Sequence, residues 1–139
     1  GVDLKKPVGL LNAAYNDAAG VTAAFNRNLL HRIRSELDSD VQPDSFDHYA
    51  FYNPAYSRIE MHLVSRVRQD VQIEDSVFRF APGDSIHTEN SYKYTVDEFA
   101  ALAAGAGFQQ QAAWVDDDAL FSVQLLRYHA PGHLPHAAA

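Results

Sequence analysis

The feature that most limits the folds open to this chain is a change of hydrophobic period within its first half. Val21, Phe25, Leu29, Ile33 and Leu37 recur every four residues, with Ala24 and Leu30 widening the stripe and Arg27, His31, Arg34 and Ser35 on the other side. That spacing is one face of an α-helix, and it predicts a one-sided packing helix from about Val21 to Leu37. From His48 to Tyr94 the period drops to two. Ile59, Met61 and Leu63 alternate with Arg58, Glu60 and His62, Val71 and Ile73 flank Gln72, Phe78 and Phe80 flank Arg79, and Ile86 to Tyr94 alternates again. Such alternation marks half-buried strands, so four or five antiparallel strands are expected here. A helix with one stripe to bury, followed by strands with one face to bury, implies an α+β arrangement.

Local signals punctuate this plan. After Lys5-Lys6-Pro7, Leu10 to Asp17 reads as short and partly helical. Asp38-Ser39-Asp40 and Pro43-Asp44 close the long helix, since proline disfavours helical geometry at the residue before it. Glu74-Asp75-Ser76 is expected to be a hairpin turn and Ala81-Pro82-Gly83-Asp84 a loop. A second helix opens at Thr95-Val96-Asp97-Glu98, where Thr95 and Glu98 have the spacing of a capping box, and stops at Gly105-Ala106-Gly107. Two more strands, about Gln111 to Val115 and Leu120 to Tyr128, flank Asp116-Asp117-Asp118, and His129 to Ala139 reads as a frayed tail. Gly105-Ala106-Gly107 closes a helix instead of joining a strand to one, so it is not a phosphate-binding loop.

Composition narrows the function classes. The 139 residues allow one domain, or one and a half, rather than the two full lobes of a cofactor enzyme. With 18 acidic against 11 basic residues and a net charge of −7, nucleic-acid binding is disfavoured. The absence of cysteine removes disulfides, thiolate metal sites and cysteine nucleophiles together. No apolar run approaches the ~20 residues of a membrane span and there is no signal-peptide core, so a cytoplasmic protein is the expectation. Gly1-Val2-Asp3-Leu4 has no methionine and reads like the end of a strand, which suggests a piece of a longer protein. The strand edges of such a piece invite self-association.

The densest polar segment is Ser85-Ile86-His87-Thr88-Glu89-Asn90-Ser91-Tyr92-Lys93-Tyr94. Strict alternation places His87, Glu89, Ser91 and Lys93 on one face, which is either a ligand wall or a solvated sheet face with cross-strand ion pairs. Met61, the only methionine, sits mid-strand on an apolar face, as one more core residue or as a pocket wall. Tyr15 either hydrogen-bonds a carboxylate or simply buries its ring. His62 with His48, and His87 with Glu89, raise the question of a metal. Zinc or iron takes three or four protein ligands and nothing in one sequence shows convergence, so no metal is expected. The tail histidines His129, His133 and His136 are not expected to ligate. From spacing alone the chain is an α+β module with a candidate polar ligand site, and no reaction follows.

Three separated motifs carry a resemblance. Tyr15-Asn16-Asp17-Ala18-Ala19-Gly20-Val21-Thr22-Ala23-Ala24-Phe25-Asn26-Arg27-Asn28, then Ile59-Glu60-Met61-His62-Leu63, then Ile86 to Tyr94, resemble in order the C-terminal part of the histidine-specific S-adenosylmethionine (SAM)-dependent methyltransferases. The likeness runs from Gly1 to about Tyr128. These enzymes trimethylate the α-amino nitrogen of histidine, giving hercynine on the route to ergothioneine. The resemblance implies an α/β fold: the C-terminal portion of a Rossmann-like methyltransferase domain carrying an inserted α+β substrate-binding domain. Residues 1–6 would end a Rossmann strand, 7–94 would be the insertion, 95–128 the closing helix and strands, and 129–139 a tail.

Carried over residue by residue, the resemblance makes Tyr15 the tyrosine that holds the substrate carboxylate and Ser91 the hydroxyl that bonds the imidazole. Glu89 would bind or orient that ring, directly or through water, and Met61 would line the pocket. The residues that bind SAM are expected upstream of Gly1, so this stretch alone is expected to be inactive. No catalytic side chain is implied. Two rivals stand beside this reading: a related methyltransferase acting on tryptophan-derived amino acids, and a non-catalytic module binding an amino acid or a partner protein. Glu89 and Ser91 favour imidazole, with its donor and acceptor nitrogens, over indole, which has only a donor.

Overall fold

The structure is a computed structural model in which residues 1–129 are described; His133 and His136 lie outside them. It is α/β, with three α-helices and antiparallel sheets, and the chain divides into two compact units: Pro7–Ser91, and Gly1–Lys6 together with the residues from Tyr92 onward.

The Pro7–Ser91 unit begins with helices α1 (Val8–Tyr15) and α2 (Val21–Glu36). Asp17 caps α2, its carboxylate accepting from the backbone N–H groups of Val21 and Thr22. Those bonds, Thr22 first, hold the Asp17 carboxyl below the ordinary aspartate range. Five strands follow: β2 (Phe46–Asn53), β3 (Arg58–Ser65), β4 (Gln69–Ile73), β5 (Ser76–Phe80) and β6 (Ser85–Tyr92), the first strand of the chain, β1, being Val2–Asp3. They form a β2-β3-β6 sheet and a separate β4-β5 hairpin, turned at Glu74 with φ 49°.

Antiparallel pairing places Phe46, His48, Ala50 and Tyr52 opposite Ser65, Leu63, Met61 and Ile59 on one face of the sheet. That face meets the helices. Leu11 of α1 packs with Ala50, Ile59 and Met61, while Leu30 of α2 packs with Phe46, Leu63, Val41 and Val71. Strand β2 is a sheet edge whose free backbone groups would otherwise invite pairing with another chain. Side chains of α1 and the residue after it cover them instead. Asn16 donates to Ala50 O and accepts from Ala50 N, and Asn12 accepts from Tyr52 N at 2.9 Å.

The helix from Val21 forms where its period predicts, but its packing face is not the expected stripe. Val21 and Phe25 remain 68% and 64% exposed, and Leu29 and Leu37 are exposed too. The buried positions are Asn26 and Leu30, with Ile33 partly buried, one residue or about 100° further round the helix. The physical reason is polar: Asn26 makes three hydrogen bonds to the sheet side, described below, and the helix turns to make them.

In the second unit β1 pairs with β8 (Phe121–Tyr128), which pairs with β7 (Phe108–Val115), all antiparallel. Strand β7 starts three residues before the expected Gln111 and carries a bulge at Gln110/Ala112, an irregularity that hides its early start from a period-two reading. Helix α3 (Val96–Gly105) has the expected capping box, with Thr95 Oγ1 accepting from Glu98 N and Glu98 accepting from Thr95 N. Gly107 follows at φ 83°, where a side chain would be strained and would crowd the Tyr128 ring.

Lys93 departs most from expectation. It is not part of a ligand wall; it is fully buried, with Nζ 3.0 Å from Asp3, which also bonds Lys6. Burial pushes the Asp3 carboxyl up, but the bonds to Lys6 and Lys93 outweigh it and hold it below the ordinary value.

Two predictions follow from the packing. Leu30→Ala should cost about 3 kcal/mol and Phe25→Ala no more than about 0.5 kcal/mol in urea unfolding, the reverse order restoring the stripe as the packing face. A carboxyl with a depressed folded pKa adds stability fully present above the unfolded value of about 3.9 and lost as pH falls through the lower folded value. Asp3→Asn should therefore flatten the acid limb of the stability–pH profile; an unchanged limb would mean that the Asp3–Lys93 pair contributes nothing.

Candidate functional site

Of the four residues singled out by sequence, the structure brings two into direct contact. Tyr15 ends α1, Ser91 lies near the end of β6, and their hydroxyls are 2.8 Å apart although 76 positions separate them in sequence. Met61 is 2% exposed in the middle of β3, in the cluster with Leu11, Ala50 and Ile59 against which Tyr15 packs. Glu89 stands two residues before Ser91, exposed, and its side chain makes no hydrogen bond among the described residues. Tyr15 and Ser91 are each partly buried. The arrangement is a tyrosine and a serine hydroxyl side by side above a thioether, with a carboxylate further along the strand.

The even alternation expected for β6 is interrupted between its two ends. Thr88 reaches Asn26 of α2, and Ser91 reaches Tyr15 at the end of α1, so both are held by helices three residues apart. Strict alternation would send them to opposite faces. Burial confirms the slip, with Ile86 and Thr88 partly buried, Glu89 and Asn90 both exposed, and Ser91 partly buried again. His87 instead stacks on His62, so His87, Glu89, Ser91 and Lys93 do not share one environment as the sequence led one to expect.

A buried polar chain holds these pieces. Asn26, 1% exposed, donates through Nδ2 to His62 O at 3.1 Å and to His48 Nδ1 at 3.0 Å, and accepts through Oδ1 from Thr88 Oγ1 at 2.7 Å. His48 Nε2 lies 2.8 Å from Tyr15 O. A carbonyl only accepts, so His48 carries its proton on Nε2 and accepts at Nδ1, which makes it neutral and fixes its tautomer. Thr88 Oγ1 also lies 3.0 Å from Met61 O. Helix α2 is thereby tied to the backbone of both Tyr15 and Met61.

Sequence reasoning missed Asn26 and Thr88 as organising residues and considered His48 only as a metal candidate. Asn26 beside an apolar stripe carries no signal that it faces inward. Two cavities lie in this unit. One of about 340 Å³ is lined by Leu29, Ile33, Leu63, Ile86 and Thr88 among others, and one of about 560 Å³ by Tyr49, Phe51, His62 and Ser85 among others. Neither is lined by Tyr15, Met61, Glu89 or Ser91, which form an open wall instead of a closed pocket.

Chemically, this wall can bind and orient a small zwitterion. Hydroxyls donate to a carboxylate or to a ring nitrogen, a carboxylate accepts from a ring N–H, and none of the four is an activated nucleophile. A SAM site of the Rossmann type needs a glycine-rich turn from strand to helix. Here β1 passes through Lys5, Lys6 and Pro7 into α1 without such a turn, so these residues do not fit the nucleoside and its methionine tail.

Residues 1–128 match the family described as histidine-specific methyltransferase, SAM-dependent. Two similar proteins are each named histidine N-alpha-methyltransferase. The one from Mycolicibacterium smegmatis is 42% identical over 127 residues, covering 90% of this chain and 40% of that protein. The one from Mycobacterium tuberculosis is 39% identical over 127 residues, with the same coverage. The chain thus spans about two fifths of the length of these relatives. A family match over nearly the whole described chain, joined to the Tyr15–Ser91 contact that the shared motifs anticipate, leads to one conclusion: the chain belongs to the histidine-specific, SAM-dependent methyltransferases.

Proposed function

We propose that the protein methylates the α-amino group of L-histidine, carrying it to the trimethylated product hercynine, and that this chain supplies most of the wall that binds histidine. The observation that carries the reading is the 2.8 Å contact between Tyr15 and Ser91, with Met61 packed in the cluster beneath Tyr15. Tyr15 holds the substrate carboxylate, Ser91 bonds the imidazole, Glu89 binds or orients that ring, and Met61 lines the pocket. Residues 1–6 and 95–128 are read as belonging to a Rossmann-like methyltransferase domain and 7–94 as its inserted substrate-binding domain. SAM is read as held by the part of the relatives' length that this chain does not span.

When bound, SAM supplies an electrophilic methyl group. What these residues contribute is alignment. An amine attacking a methyl carbon needs an in-line approach and exclusion of water, and no covalent intermediate with the protein. Fixing the carboxylate at one end of histidine and the imidazole at the other leaves the α-nitrogen as the free vertex. The same two anchors keep that nitrogen in place as it gains successive methyl groups, because neither anchor touches it. An imidazole with one donor and one acceptor nitrogen matches the pair of Glu89, which accepts, and Ser91, which donates or accepts.

In the intact protein, Glu89→Ala and Ser91→Ala should each weaken histidine binding by roughly 1–3 kcal/mol, the cost of a lost buried polar contact. Histidine titrations by calorimetry measure this directly, and titrations unchanged in both variants would overturn the site.

A further inference from the structure

The sheet face opposite the helices carries a second group of side chains that the histidine site does not use. Pairing puts Tyr49 and Phe51 opposite His62 and Glu60 on this face. Phe51, His62 and His87 form a stack of rings, with centroids 5.6 Å apart for Phe51 and His62 and 4.5 Å apart for His62 and His87. Glu60 lies beside them, and one ligand atom from each of Glu60, His62 and His87 falls within 4.8 Å of the others.

The partners of these groups are unevenly distributed. Glu60 Oε1 is taken by Arg58, at 2.8 Å from Nε and 2.7 Å from Nη2, and by Asn53 at 3.0 Å. Its other oxygen faces His62 Nε2 at 3.6 Å. That is too long for a hydrogen bond, and His62 Nε2 is buried with no hydrogen-bond partner. The opposite nitrogen, Nδ1, lies 3.3 Å from Ser85 Oγ. A buried ring nitrogen aimed at a carboxylate oxygen without a hydrogen bond between them requires a reason.

A shared cation supplies one. A zinc-class ion binds histidine nitrogen and carboxylate oxygen at about 2.0–2.2 Å, which places two ligands of a tetrahedral site about 3.4 Å apart, close to the separation seen here. The surroundings are those a ligating pair requires. Ser85 orients His62 from its far nitrogen, and Arg58 and Asn53 fix Glu60 through the oxygen that faces away. The cavity of about 560 Å³ lined by His62, Phe51 and Ser85 gives an entry path.

From this we propose that Glu60, His62 and His87 form a binding site for a borderline divalent cation of the zinc, cobalt and nickel class, on the sheet face away from the histidine wall. Two imidazoles and a carboxylate suit such ions better than magnesium or calcium. The rings of His62 and His87 are within 18° of parallel, so both cannot aim an in-plane lone pair at one point as they stand. Binding therefore turns the exposed His87 out of the stack, while His62 and Glu60 hold their positions.

The test is titration of the metal-free intact protein with Zn²⁺ by calorimetry and with Co²⁺ by visible absorption. One equivalent should bind, with a cobalt d–d spectrum of low coordination number, and both His62→Ala and His87→Ala should weaken binding at least tenfold. His87 is exposed, so its variant does not depend on the core refolding, and an unchanged circular dichroism spectrum verifies that. Absence of saturable binding, or binding of undiminished strength in the His87→Ala and His62→Ala proteins, would overturn the site and assign any bound metal to other histidines.

Discussion

The arrangement of the Pro7–Ser91 unit depends on satisfying one buried amide. Asn26 is sealed between α2 and the β2-β3-β6 sheet, where an unpaired amide would cost on the order of 1–3 kcal/mol per group. Both functional ends of its side chain are engaged, to His62 O, His48 and Thr88. Through those partners it reaches the backbone of Tyr15 and Met61. A helix whose rotation is set by three hydrogen bonds cannot also choose its most apolar stripe. That constraint accounts at once for the exposed Val21, Phe25 and Leu29 and for the register at which Tyr15 meets Ser91.

The same logic explains the interruption in β6. Thr88 must face α2 to complete the Asn26 amide, and Ser91 must face α1 to meet Tyr15, yet three residues separate them. The strand absorbs the mismatch where Glu89 and Asn90 are both exposed. Departures from regular alternation tend to gather where a side chain has to be re-aimed, and here the departure falls on the residues that the family likeness assigns to the imidazole.

Much of this was legible in the amino-acid order and some was not, for identifiable reasons. Helix α2, the β4-β5 hairpin and the Thr95–Glu98 box follow from local rules, since period, turn residues and capping act within a few positions. The burial of Lys93 could not be read, because its partner Asp3 is ninety residues away and only the tertiary fold joins them. The inward face of α2 was read one residue out of phase, because hydrophobic period weighs apolar residues and is blind to an asparagine with three partners. Tyr15 and Ser91 could be named through motif likeness, but their contact could not be derived from spacing. The grouping of Glu60 with His62 and His87 was hidden likewise, since only one pair of the three lies on a single strand.

What joins fold to function is the fixing of both ends of one small zwitterion so that its α-nitrogen is the only group left free. The measurement that bears on this most directly is tandem mass spectrometry of histidine after incubation of the intact protein with SAM. Successive methyl groups confined to the α-nitrogen, ending at the trimethylated product, are the predicted result. Methylation of a ring nitrogen, or no transfer to histidine at all, would contradict the account.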